Sequence, residues 1–187
     1  GNLPHLFEPD CPVQRRHQKT IEESPAPNVV RAQVDAMANQ IAATVRSMGY
    51  DNIGTVEMLM DAQGEFSFLE MNTRLQVEHG VTEEVTGVDL VQAMIRCAAG
   101  ERLTDILPGD IALTGHAIQA RVYAEDPKNF FPSPGKLTVY RPPQDPAIRI
   151  ETGYAEGREV TPYYDPMMAK VIVKGKSRDQ AIERLVQ

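Results

Sequence analysis

Long apolar runs are what this sequence most conspicuously lacks. None reaches the roughly 20 residues that a membrane-spanning helix needs, and residues 1–20 show neither the basic start nor the apolar centre of a signal peptide. A soluble cytosolic protein is expected, with the mitochondrial matrix as the eukaryotic alternative. Cysteine is scarce as well: Cys11 and Cys97 lie far apart, without CxxC or histidine spacing. They offer neither a disulfide framework nor a zinc site, and free thiols fit a reducing compartment. Positive charge is in deficit, with 19 Lys and Arg against 26 Asp and Glu and a formal net charge of −7, which argues against a nucleic-acid-binding surface. What is present is ordinary for a globular chain, 42% hydrophobic and 24% charged, so neither disorder nor a fibrous repeat is implied. The 187 residues suffice for one core or two small lobes.

Along the chain, Asn2 to Glu8 has strand character, residues 9–17 are polar and proline-broken, and Gln18 to Glu23 reads as a short strand. Val30, Val34, Met37, Ala38, Ile41, Val45 and Met48 recur at helical spacing, with Gly49 as the stop. Ile53 to Met60, the turn Asp61 to Gly64 and Glu65 to Met71 predict a hairpin, and residues 72–80 an extended polar exit. Two helices, Val81 to Val85 and Asp89 to Ala99, are separated by Thr86-Gly87. Leu103 to Asp110 reads as a loop near a domain boundary. Strands are expected at His116 to Ala124, Lys136 to Tyr140, Ala147 to Glu151 and Met167 to Lys174, and a helix from Ser177 to Gln187 that the chain end cuts.

The stretch Glu70-Met71-Asn72-Thr73-Arg74-Leu75-Gln76-Val77-Glu78-His79 places Glu70, Asn72, Arg74, Gln76 and Glu78 at even positions. On an extended backbone these five groups line one face over roughly 27 Å, at ~3.4 Å per residue, on the same parity as Phe66 and Phe68. The plain alternative is an amphipathic edge strand with a solvated face. Glu57, the sole charge between Ile53 and Met60, then falls opposite Phe68 and diagonal to Glu70. Two carboxylates on neighbouring strands repel unless one takes a proton or a divalent cation lies between them. Hard oxygen ligands favour Mg²⁺ or Mn²⁺.

Gln14-Arg15-Arg16-His17-Gln18-Lys19 puts three cations and an imidazole into six residues. That suits phosphate or bicarbonate, although a charge run of this kind also occurs as a solvated loop. Arg121 sits within a weakly charged strand, either as a salt bridge to Glu125 or Asp126 or as a functional cation.

These segments, with Ala124-Glu125-Asp126, Pro132-Ser133-Pro134-Gly135 and Pro162-Tyr163-Tyr164-Asp165-Pro166-Met167, resemble biotin carboxylase, an ATP-grasp family, in order and spacing nearly from end to end. The resemblance implies an α+β fold: the second half of an ATP-grasp domain over 1–105, then a truncated C-terminal domain over 106–187, with mostly antiparallel sheets and flanking helices. It implies that Glu57, Glu70 and Asn72 hold two metal ions on ATP, that Leu59 contacts adenine, and that Gln14 and His17 lie near the nucleotide. Lys19, Arg74, Gln76 and the Val77 backbone would hold bicarbonate, Glu78 would be the base, and Arg121 would stabilise deprotonated biotin. The implied partners are a biotin carboxyl carrier protein, a carboxyltransferase and a second copy of the full-length protein; no nucleic acid or membrane is expected. Gly80, Pro9 and Pro12 depart from residues common in relatives. The family's nucleotide-fold domain and glycine-rich lid loop have no counterpart before Gly1, so the chain alone is expected to be inactive. Acyl-CoA carboxylase subunits are the first expectation. Urea carboxylase, another ATP-grasp ligase such as a carbamoyl phosphate synthetase, and a non-catalytic dimerisation scaffold are the alternatives.

Overall fold

Apolar periodicity and turn chemistry set most of the elements. The structure, a computed structural model, describes residues 4–16, 18–107 and 109–187. In chain order the elements are β1 (Asp10–Arg15), β2 (Gln18–Ser24), α1 (Arg31–Ser47), β3 (Thr55–Met60), β4 (Phe66–Asn72), α2 (His79–Thr86), α3 (Leu90–Ala98), α4 (Leu103–Ile106), β5 (His116–Tyr123), β6 (Gly135–Lys136), β7 (Ile148–Thr152), β8 (Glu159–Val160), β9 (Met167–Gly175) and α5 (Arg178–Val186). They form two compact units: Gly1–Asp10 with Ser24–Thr114, and Cys11–Glu23 with Gly115–Gln187. The sequence expectation divides the chain at 105/106; by compactness, residues 11–23 group with the C-terminal segment.

In the first unit, α1 buries Val34 and Val45, and it stops where Gly49 takes a left-handed φ of 72° and donates to the Arg46 carbonyl at 3.0 Å. Its ends, Val30 and Met48, are exposed. β3 and β4 form an antiparallel hairpin closed by Asp61, whose Oδ1 accepts from the Gln63 and Glu65 amides at 2.9 Å each. α2 buries Val81 and Val85 completely. Gly87 ends it in the left-handed region, and Asp89 caps α3 by accepting from the Gln92 amide at 2.8 Å. Buried Glu83 accepts from the Leu90 amide at 2.8 Å, tying the two helices together.

The second unit is built on a five-stranded sheet in the order β1-β2-β5-β9-β7, with antiparallel β5–β9 and β9–β7 pairs. Ile118, Val173 and Ala181 form its core, flanked by Ile21, Ile148, Ile182 and Leu185, so α5 covers one face. Gly175 makes this packing possible: a Cβ there would lie 2.5 Å from the Ala181 amide nitrogen.

Five expectations are corrected. Residues 4–8 are not a strand; of the expected Asn2 to Glu8 segment, Asn2 and Leu3 lie outside the described residues. The stretch read as broken by proline contains β1, which lies at the sheet edge, the place in a sheet where proline is tolerated. Leu103 to Asp110 includes the short helix α4. The strand expected at Lys136 to Tyr140 shrinks to the two-residue pair β6–β8. Residues 73–78 are not extended, because the chain turns after Asn72 and enters α2 at His79.

Candidate functional site

The polar groups of the first unit gather by a different route from simple alternation. An irregularity between Glu57 and Met58 steps the register past Leu69, so Met58 faces Phe68 while Glu57 lies directly opposite Glu70. The expected diagonal placement is therefore replaced by a closer one, and Phe66 and Phe68 do not continue the face of Glu70 by parity. Asn72 is opposite Thr55, and its Nδ2 donates to Glu57 Oε1 at 3.2 Å and to Glu70 Oε1 at 2.9 Å. The amide nitrogen thus sits between two carboxylates. The turn after Asn72 brings Gln76 back, and its Nε2 donates to the same Glu57 oxygen at 2.9 Å. Arg74 is exposed and donates to the Leu75 carbonyl at 3.2 Å and to Asn72 Oδ1 at 3.5 Å.

Gln76 is 8% exposed, and its Oε1 is buried without a hydrogen-bond partner. A buried acceptor left unmatched costs about 1–3 kcal/mol, so this cluster carries an acceptor suited to a donor from a ligand. Glu78 is 5% exposed and occupies the position preceding α2, and Val77 lies half-buried in the same turn. Leu59, on β3, is exposed. The oxygens of Glu57 and Glu70 and the Asn72 amide, which presents oxygen when turned over, make a hard donor set that fits Mg²⁺ or Mn²⁺.

In the second unit, Lys19 is half-buried on β2 and Gln14 exposed on β1; His17 lies outside the described residues. Arg121 is engaged by a different carboxylate, Glu22, from the neighbouring strand. Its Nε donates to Glu22 Oε1 at 2.6 Å and its Nη2 lies 2.5 Å from the same oxygen. Gln119 Nε2 donates to Glu22 Oε2 at 3.0 Å. Burial opposes the charge of Arg121, but the Glu22 carboxylate outweighs it and raises its pKa. Burial also raises Tyr123, partly offset by its hydrogen bond with Arg121.

Two arginines of the basic stretch make structural contacts. Arg15 pairs with Glu125 and stacks at 4.3 Å on Phe130, while Arg16 donates to the Asn129 carbonyl at 3.2 Å. On the other face of β2, Glu23 accepts from Arg178 at 2.7 and 3.0 Å and lies 2.7 Å from His116 Nε2.

Residues 1–106 match the family described as carbamoyl-phosphate synthase L chain, ATP binding domain, and residues 119–187 match biotin carboxylase C-terminal domain. The chain belongs to the biotin carboxylase family. It is 53% identical over 188 aligned positions to Biotin carboxylase 2 of Bacillus subtilis, covering 99% of this chain and 41% of that protein. It is 48% identical to the mitochondrial methylcrotonoyl-CoA carboxylase subunit alpha of Arabidopsis thaliana, covering 99% of this chain and 26% of that one. Among solved structures, the biotin carboxylase domain dimer of Hydrogenobacter thermophilus 2-oxoglutarate carboxylase, in complex with MgADP, ADP and bicarbonate, superposes with a TM-score of 0.92 at 43% identity, over 97% of this chain and 40% of that one. The chain therefore spans about two fifths of the length of the biotin carboxylases it matches. The α+β architecture with antiparallel pairs is that of this family's ATP-grasp structures.

Of the residues singled out in the sequence, the structure links Glu57, Glu70, Asn72, Arg74 and Gln76 by hydrogen bonds. It does not extend them into a straight wall with Glu78. Sequence reasoning missed Glu22 and Gln119. A signal for them exists: Glu22-Glu23 is an acidic pair in a buried strand, and His116, Gln119 and Arg121 supply the polar groups of another.

Proposed function

We propose that this chain forms part of a biotin carboxylase, which uses ATP and bicarbonate to carboxylate biotin on a carrier protein by way of carboxyphosphate. The observation that carries the reading is the hairpin cluster. Asn72 bridges Glu57 and Glu70, and the buried Gln76 amide leans on Glu57 with its own oxygen unmatched. Magnesium or manganese held by Glu57, Glu70 and Asn72 would neutralise charge on the nucleotide phosphates. Arg74 supplies a planar cation suited to bicarbonate, Gln76 and the Val77 backbone orient it, and Glu78 takes its proton. Lys19 is assigned to bicarbonate, and Arg121 to the anion that biotin becomes when its ring nitrogen loses a proton. Leu59 is assigned to adenine, and Gln14 and His17 to the nucleotide.

An acyl-CoA, reached through a carboxyltransferase, is the proposed final acceptor. The full-length protein is proposed to dimerise and to act in the cytoplasm. The chain is assigned as the second half of the ATP-grasp domain over 1–105 and the C-terminal domain over 106–187.

The test is bicarbonate-dependent ATP cleavage by the full-length protein and by its Glu70→Gln variant. The parent is expected to cleave ATP with Mg²⁺ or Mn²⁺ present and to be stimulated by free biotin. Glu70→Gln is expected to lose about 10²-fold or more, the scale of removing a preorganised electrostatic group. The 187 residues on their own are expected to give no turnover. Activity in Glu70→Gln equal to that of the parent would remove the metal assignment.

A further inference from the structure

We infer that Glu22 is a positioning residue for Arg121, with Gln119 as its second tether, so that the guanidinium enters the reaction already oriented. The inference deepens the proposed function and rests on the role given there to Arg121. Glu22 comes from β2, whereas Gln119 and Arg121 share one face of β5, two residues apart. The Glu22 side chain is 0% exposed and that of Arg121 13%. One carboxylate oxygen takes both contacts from Arg121, Nε at 2.6 Å and Nη2 at 2.5 Å. The other oxygen is tied by Gln119 Nε2 at 3.0 Å. Tyr123, next on the same face, hydrogen-bonds to the guanidinium as well.

Each contact restricts a different motion. The pair of donors on one oxygen fixes the plane of the guanidinium, since its N–H fork is rigid. Gln119 stops the carboxylate from rotating about its own terminal bond, so the anchor is itself anchored. A long side chain loses considerable rotamer freedom when ordered. Here that loss is met during folding, before any substrate binds, which is the condition for a preorganised electrostatic group to act without reorganising. Stability alone is a poor reason for such a pair, because well-packed apolar residues of similar volume often serve as well or better. A guanidinium of fixed direction is what the ionic pair adds. A lysine at 121 would keep the charge and lose the fork.

The experiment uses the full-length protein with Glu22→Gln and, as a milder variant, Gln119→Leu. Two quantities are read: kcat and KM for free biotin in biotin-dependent ATP cleavage, and the order and solvent exchange of the Arg121 Nε–H by ¹⁵N NMR. Glu22→Gln is expected to lower kcat by roughly 10- to 100-fold, the scale of a misplaced catalytic group. KM is expected to change by less than about twofold, because the loss falls on the transition state. The Arg121 Nε–H is expected to become more mobile and to exchange faster. Gln119→Leu should move both quantities in the same direction by a smaller factor.

An Arg121 Nε–H signal that is unchanged in Glu22→Gln overturns the inference, whatever happens to kcat. So does a mobile Nε–H with an unaltered kcat. The role of Arg121 itself is checked separately with Arg121→Met. If that variant carboxylates biotin normally, the proposed role of Arg121 fails, while the Nε–H measurement still reports whether Glu22 orients it. Should Glu22→Gln fold poorly, Gln119→Leu carries the same two measurements.

Discussion

The hairpin of the first unit and the β2–β5 pair of the second both concentrate carboxylates, but they match them with different partners. At the hairpin, Glu57 and Glu70 accept from the amides of Asn72 and Gln76, at an exposed to half-buried strand end. Along β2, Glu22 and Glu23 are almost fully buried, and guanidinium groups from Arg121 and Arg178 meet them. An amide offers a dipole and turns over easily, so two carboxylates sharing one remain able to take a cation. A buried carboxylate with a guanidinium against it has its charge already answered. The first arrangement suits a site that must be filled by something else, and the second suits a frame that must not move.

The comparison breaks first at Glu22. Glu22→Ala leaves the Arg121 charge largely buried without its carboxylate, and breaking a buried pair in this way costs about 3–5 kcal/mol. Urea unfolding should show that loss as a fall in midpoint at unchanged slope. A change below about 1 kcal/mol would mean that the sheet pairs are no more structural than the hairpin ones.

Acid sharpens the same contrast. Burial alone would raise the Glu23 carboxyl, yet hydrogen bonds from Arg178 and His116, with the charge of Arg178, hold it below the ordinary value. Glu151 is likewise opposed by burial but lowered by Lys170 and then Arg149. For a carboxyl whose folded pKa is depressed, the unfolded chain binds more protons as pH falls. The stabilisation is therefore present above the ordinary carboxylate value of about 4.3 and is lost as pH drops through the folded value. Urea midpoints measured from neutral pH downward should start to fall near that value, and Glu23→Gln should flatten the fall. An identical slope in that variant would assign the acid sensitivity elsewhere.

Local rules reached some of this and stopped at identifiable places. The spacing of Val34, Ile41 and Val45, with Gly49 behind them, is enough to place α1. Asp61 to Gly64 is enough to place the hairpin turn. The convergence of Glu57, Glu70 and Asn72 was legible from alternation, but its cause was not. The step past Leu69 and the turn after Asn72 are decided by pairing and packing, which single-strand parity does not contain. β1 was hidden because Pro9 and Pro12 argue against a strand, and only the sheet order shows it to be an edge. The segment Lys136 to Tyr140 misled in the opposite sense: it reads as a strand, yet among the described residues its ladder is limited to the pairs Gly135 with Val160 and Lys136 with Glu159, and Val139 is exposed. Glu22 and Arg121 are 99 positions apart, a distance no periodicity spans.

The smallest expected effect is the most discriminating. Glu70 is exposed, and its hydrogen bond from Asn72 at 2.9 Å joins two groups that water can also serve. Glu70→Gln keeps the shape, removes one of two facing carboxylates and leaves Glu57 with its Asn72 and Gln76 donors. Surface substitutions of this kind usually stay within about 0.5 kcal/mol, and the relief of like-charge repulsion pushes the value toward zero or slightly stabilising. The same variant should weaken Mn²⁺ binding, followed by electron paramagnetic resonance, at least tenfold, since a hard dication loses one of its two charged oxygens. Near-unchanged stability with lost ion binding is what a site held open for a ligand predicts. A loss of stability comparable to that of Glu22→Ala would make the hairpin carboxylates part of the frame, and the contrast between the two regions would disappear.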